Sequence, residues 1–239
     1  MFRQLIAGAA AAVIALTGVK SGQHRPDEFF HAEGGAIVSP AGETAVLRGM
    51  GFGNNVWVSS QADIGFHHNE DSFREMSELG FNSVRFLLNY RWFEDDENPY
   101  VYKQEGFDYI NRSIAWAKKY NIGLVLNMHY PQGGYQSQGN GTALWTDPEN
   151  QRRLVKLWGE IARRYADEPT IQGYGIVNEP IVPELSDIKQ TVGQCRNLVQ
   201  RCTDEIRRYD RSHIIFAERV AAVQDLSTGE NLWSKYSTD

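Results

Sequence analysis

Residues 171–180 read IQGYGIVNEP. Seven residues without a charge, most of them apolar, end abruptly in Asn178-Glu179-Pro180. A short run of this kind fits a strand that is buried on both faces, as in a parallel sheet, rather than a half-exposed strand of alternating character. Working outward, the same sentence repeats. Upstream, Asp147 precedes Pro148, a favoured first helical residue, and the stripe Leu154, Leu157, Trp158, Ile161 and Tyr165 predicts an amphipathic helix. Before it comes the apolar run IGLVLNMHY, preceded by a helical stripe of Phe107, Ile110, Ile114 and Ala117. SVRFLLN reads as a further strand, following a helix over Ser72 to Leu79 that carries Phe73 and Met76 on one face and stops at Gly80. A first buried strand is expected around Val46 to Gly51, after a hairpin turning at Pro40-Ala41-Gly42. Downstream, a long helix over roughly Glu184 to Tyr209 leads to HIIFAERV, a fifth strand.

Polar residues collect at one end of these strands: Asn54 and Asn55 after the first, Asn89 after the second, His129 and Tyr130 after the third, Asn178 and Glu179 after the fourth. Strand and helix in alternation imply an α/β fold with a parallel sheet, and the C-terminal strand ends are where such folds place ligands and catalytic groups. A doubly wound nucleotide-binding sheet would carry a Gly-rich phosphate turn after a strand. The one Gly-rich stretch, PQGGYQSQGNG, lacks the Lys-Ser/Thr ending of a P-loop and precedes no helix directly. A (β/α)8 barrel is the expected architecture.

The 239 residues are 41% hydrophobic and 12% aromatic, enough for one domain with a sizeable core. A net charge of −6 and no basic run argue against nucleic acid as a partner and suit an uncharged ligand. Residues 1–22 read as a signal peptide, with Arg3 ahead of an Ala-rich apolar stretch from Leu5 to Val19 that falls short of a membrane span of about 20 residues. The domain is then 23–239, without stable membrane insertion after cleavage, and the protein is expected to be secreted or periplasmic. Cys195 and Cys202 fall on one helical stripe about two turns apart, roughly 10 Å, which is too far for a disulfide. They are expected as buried thiols. No cofactor is implied, and the adjacent His67 and His68 do not make a metal site. The sequence does not fix the oligomeric state.

The segments LRGMGFGN, LGFNSVRF, LVLNMHYPQGGYQ, RRYADEPTIQGYGIVNEP and HIIFAE together span about residues 44 to 218. They resemble the cellulase-like (β/α)8 glycoside hydrolases of family 5. The resemblance implies that Glu179 is the general acid/base, that Asn178 contacts the sugar 2-hydroxyl, that Arg85 lies beneath the site near the nucleophile, and that His129 lines the catalytic subsite. Physical logic agrees: a proton-donating glutamic acid wants a partly desolvated pocket that raises its pKa, and an arginine buried in a strand wants an anionic partner. The plainer readings are that Glu179 caps the next element, that His129 is a satisfied core histidine, and that Arg85 pairs with a carboxylate of a neighbouring helix. Trp57, Trp92, Tyr135 and Trp145 fall in loops above the strand ends, where flat rings can stack on pyranose; Tyr130, Trp57 and Trp145 join the substrate-binding candidates. The polar loop Gln132 to Thr146 is expected to serve the binding rim.

In the family the nucleophile is a glutamate ending the seventh strand, and only about five βα units are legible in this chain. Glu218 ends the fifth strand, a position that argues against its being the nucleophile. The expectation is a C-terminally truncated barrel: a retaining hydrolase of a β-linked polysaccharide or oligosaccharide, cellulase-like, whose nucleophile is missing. The alternative is a non-catalytic carbohydrate-binding remnant of such an enzyme.

Overall fold

A computed structural model describes residues 25–57, 66–136, 141–181 and 188–218. The predicted signal peptide and the segment after Glu218 lie outside the described residues. The chain opens with a two-stranded antiparallel hairpin, β1 (His31–Glu33) and β2 (Ala36–Val38). Its turn is at Gly34-Gly35, both in the left-handed region that a two-residue hairpin loop requires, and it precedes the turn that the sequence predicts at Pro40-Ala41-Gly42. That later segment forms a second tight turn, in which Gly42 donates to the Ser39 carbonyl and Val38 bridges Thr44.

The body of the molecule alternates strand and helix: β3 (Gly49–Phe52), α1 (Glu70–Glu78), β4 (Ser83–Asn89), α2 (Gln104–Lys119), β5 (Gly123–Tyr130), the short α3 (Ala143–Thr146), α4 (Pro148–Tyr165), β6 (Ile171–Gly175), α5 (Ile188–Arg207) and β7 (Ile214–Phe216). The helix starts follow from capping. Asn69 accepts from the Ser72 N–H ahead of α1, two residues earlier than the apolar stripe predicts, and Asp147 accepts from the Glu149 N–H ahead of α4 with Pro148 in its first turn.

All five strands of the main sheet are parallel, and their spatial order is the chain order, β3-β4-β5-β6-β7. That order decides the architecture. A doubly wound sheet reverses direction at a switch point and has helices on both faces, whereas crossovers that always step the same way, each right-handed, put every helix on one face. Burial agrees: Val84, Phe86, Leu88, Leu124, Leu126 and Tyr174 are fully buried toward the helices, while Arg85, Val125, Ile214 and Phe216 on the other face are only half-buried. The fold is α/β of the (β/α)8 type, with five of its strands among the described residues. Cys195 and Cys202 are buried free thiols on α5, as their spacing requires. No described helix is long and apolar enough to cross a membrane.

Candidate active site

Residues paired across parallel strands share a face. Leu87 pairs with Asn127, Asn127 with Gly175, and Gly175 with Phe216. Arg85, two residues before Leu87 in the first half of β4, and Glu218, two after Phe216, therefore look out on the same side as Asn127, while His129 falls where the register shifts between Leu88 and Asn89. Beyond β6 the chain stays attached to its neighbours: the Ile176 N–H donates to the Phe216 carbonyl at 3.2 Å and the Asn178 N–H to the Met128 carbonyl at 3.0 Å.

A hydrogen-bonded cluster joins these strands. Arg85 Nη2 donates to Asn178 Oδ1 at 2.6 Å and to Glu218 Oε1 at 2.5 Å. Asn127 Nδ2 donates to Glu218 Oε1 at 3.1 Å, and the backbone N–H of Glu179 donates to Glu218 Oε2 at 2.8 Å. The anionic partner that Arg85 needs is thus Glu218. Asn178 is buried, and its bond to Arg85 turns its amide NH2 away from the guanidinium. Two glycines make the cluster possible: a Cβ on Gly175 would lie 2.5 Å from Asn127 Nδ2, and one on Gly173 would lie 2.6 Å from the Phe216 ring. A side chain at Gly175 would block the path of Asn127 across β6, and one at Gly173 would push against β7 at Ile214 and Phe216.

Glu179 is the exception to a sequence expectation. It is exposed, so the described residues do not supply the partly desolvated pocket expected around it. Its backbone is unusual instead: φ is 41°, in the left-handed region, directly before Pro180, where a residue ordinarily takes up extended backbone. His129 is buried beside it. Burial, and after it the charge of Arg85, lower its pKa to about 4 against the opposing charge of Glu179. The ring is therefore neutral near pH 7, and its Nδ1 is buried without a hydrogen-bond partner among the described residues.

The structure brings Arg85, His129, Asn178 and Glu179 into one cluster and leaves the aromatic candidates scattered. Tyr130 is buried, with the Arg91 guanidinium 5.2 Å above its ring and Tyr135 stacked at 6.2 Å; Tyr135 is also 5.6 Å from His129. Trp57 is half-exposed, with its ring over Gly53 at the far side of the sheet. Trp145 and Trp92 are not rim platforms. Trp145 is buried on α3, its indole N–H donating to Gln136 at 2.7 Å, and Trp92 packs on Phe66, Phe86 and Tyr109. The described start of the loop from Gln132 is tied down, because Gln132 donates to the buried Glu94 at 2.6 Å and Gln136 to the carbonyls of Gly134 and Gly141. Asn54 and Asn89 are buried structural residues: one accepts from the Tyr109 hydroxyl, the other holds the Val56 carbonyl. His68 stacks on Phe52, and among the described residues no three His, Cys, Asp or Glu side chains stand close enough to hold a metal ion.

Sequence reasoning missed Asn127 and undervalued Glu218. A signal existed for both: Asn127 breaks the apolar run two residues before His129, and Glu218 follows Phe216 at the same spacing, so period two puts Asn127 and Glu218 on one face.

Comparison with known proteins places this geometry in context. The family model described as Cellulase (glycosyl hydrolase family 5) matches residues 38–237. "Endoglucanase C" of Acetivibrio thermocellus is 30% identical over 165 residues, covering 67% of this chain and 46% of that protein. A "Beta-xylosidase" of Phanerodontia chrysosporium is 30% identical over 236 residues, covering 83% of this chain and 48% of its own length. The chain thus spans about half the length of these relatives. Among solved structures, endo-glycoceramidase II from Rhodococcus sp., in a form described as a lactosyl-enzyme intermediate, superposes with a TM-score of 0.66 at 21% identity, covering 78% of this chain and 52% of that one.

Proposed function

The chain belongs to glycosyl hydrolase family 5, and from that premise we propose that it serves the retaining hydrolysis of a β-linked polysaccharide, cellulase-like, with Glu179 as general acid/base. The observation that carries the reading is the Arg85–Asn178 hydrogen bond beside Glu179 at the C-terminal strand ends. It joins the residues for which the sequence resemblance implies roles in sugar binding and proton transfer. A related fold captured as a lactosyl-enzyme intermediate supports the covalent, retaining course.

In this reading the protonated Glu179 gives its proton to the glycosidic oxygen as that bond breaks, while a carboxylate on the opposite side of the ring attacks the anomeric carbon. Water then displaces the carboxylate and returns its proton to Glu179. The two carboxyl groups must stand about 5–5.5 Å apart across the sugar. We assign the nucleophile to a glutamate on a later strand of the barrel, beyond the five described strands. Asn178 would contact the 2-hydroxyl, and the neutral His129, Tyr130 and Trp57 would line the sugar's path. The neutral ring of His129 can both donate and accept toward hydroxyls. The leader-like residues 1–22 support a secreted or periplasmic location.

A second reading, a carbohydrate-binding remnant without turnover, is favoured by the exposure of Glu179, for which the described residues do not supply the desolvation that a proton donor uses. Reducing-sugar release from soluble β-glucan by this chain, abolished in Glu179→Gln, supports the enzyme. Retardation in a β-glucan gel without any release supports the binding reading.

A further inference from the structure

We propose that Glu218 is a positioning residue of this site: it holds Arg85 and the backbone of Glu179 together, and so sets the direction in which Glu179 presents its carboxyl group. The proposal rests on the assignment of Glu179 as proton donor.

Three donors converge on the two oxygens of Glu218: the Arg85 guanidinium, the Asn127 amide and the Glu179 N–H. They come from β4, from β5 and from the segment after β6, so the carboxylate ties these three to the end of β7. Charged hydrogen bonds of this kind are shorter and stronger than neutral ones, and they hold their partners in one geometry. The bond to Glu179 matters most. A non-glycine residue in the left-handed region costs about 1–2 kcal/mol, and such a conformation persists only where its surroundings enforce it. At Glu179 the enforcing contact is its own N–H donating to Glu218. With φ held at 41°, the direction of that N–H sets the direction of the Cα–Cβ bond from which the carboxyl group extends.

The same geometry distinguishes positioning from nucleophilic attack. Both oxygens of Glu218 accept from the wall of the site, one of them from the amide of the proton donor itself. A nucleophile must face the donor across the sugar rather than lie against the donor's backbone. Asn127 reinforces this placement. Its amide reaches Glu218 over Gly175, at a place where any side chain would collide with it.

The test uses the full chain and its Glu218→Gln and Glu218→Asp variants. Three measurements are compared: the Glu179 amide by NMR, cellotetraose binding, and hydrolysis of 2,4-dinitrophenyl β-cellobioside with and without azide. Glutamine keeps the shape, but only one of its two ends accepts, so it opposes a donor to either Arg85 or the Glu179 N–H. Loss of a charged acceptor should speed hydrogen exchange at the Glu179 amide by about tenfold or more in a folded variant, with its resonance displaced. Where the wild type turns over, kcat should fall by about tenfold or more with KM little changed, as expected for a contact that acts on the transition state. Azide should not yield the α-glycosyl azide, the product of attack in place of a missing nucleophile. Asp, one methylene shorter, keeps the charge but withdraws the acceptor, and should move the same amide even if the Gln variant does not fold. An unmoved Glu179 amide in a folded variant overturns the proposal. So does rescue by azide that yields the α-glycosyl azide, or a 2-deoxy-2-fluoroglucoside trapped on Glu218, since either makes Glu218 the nucleophile. If the wild type neither binds cellotetraose nor turns over, the proposed function fails, and the amide still decides the role of Glu218.

Discussion

At the scale of single residues, the site is defined by which group each polar atom meets. His129 gives the sharpest pH prediction. Its pKa is held near 4 in the folded protein by burial, and then by Arg85, against an ordinary value of 6.5. Between these limits the unfolded chain binds a proton that the folded chain refuses, so stability is complete above pH 6.5 and falls as the pH drops toward 4, by up to about 3 kcal/mol. Urea denaturation at pH 7 and pH 4.5 should show that loss, and His129→Asn should shrink it. Gly175→Ala is the second residue-scale prediction. Its Cβ would meet Asn127 Nδ2 at 2.5 Å, and the clash should cost about 1–3 kcal/mol and break the Asn127–Glu218 hydrogen bond. The melting temperature and the Asn127 side-chain NMR signals report the two effects separately. Arg85, His129, Asn178 and Glu179 could all be picked out from sequence because each interrupts or ends an apolar run. The partner of Arg85 could not, because a strand's neighbours are set by the sheet and not by the chain.

At the scale of elements, periodicity and capping carried most of the information. The stripes of α2 and α4 and the Asp147-Pro148 start lie where the sequence predicts them, since a cap and a 3.6-residue stripe are local properties. Asp147→Ala should destabilise the protein by about 1 kcal/mol through the lost bond to the Glu149 N–H, read as a shift in urea midpoint at unchanged slope. The hairpin at the start was harder to read. Two successive turn signals, Gly34-Gly35 and Pro40-Ala41-Gly42, stand in the sequence, and both form: β1 pairs with β2 across the first, and Val38 bridges Thr44 across the second. The loop from Gln132 to Thr146 misled for a different reason. Its glycines and glutamines look like a solvated rim, yet Gln132 and Gln136 spend their amides on buried partners, and Trp145 is buried by the same loop.

At the scale of the whole molecule, Glu94 and Arg153 show how distant segments are fastened. Both are buried, Arg153 Nε donates to Glu94 Oε1 at 3.0 Å, and Gln132 donates to the same oxygen, so the end of β4, the loop after β5 and α4 share one charge cluster. Arg153→Met leaves a buried carboxylate without its cation and should cost about 3–5 kcal/mol; adding Glu94→Leu should recover part of it, as thermal melts of the single and double variants would show. The sequence by itself determined the alternation of strand and helix, the parallel sheet, the family and the residues at the strand ends, because burial pattern, caps and punctuation are written in consecutive residues. Only the tertiary structure decided that the strands lie in chain order with one face half-open, that Glu179 stands exposed on a left-handed backbone, and that Glu218 gathers Arg85, Asn127 and the Glu179 amide. These depend on register between strands up to 133 positions apart, and the alignment of distant groups exists only once the sheet has formed.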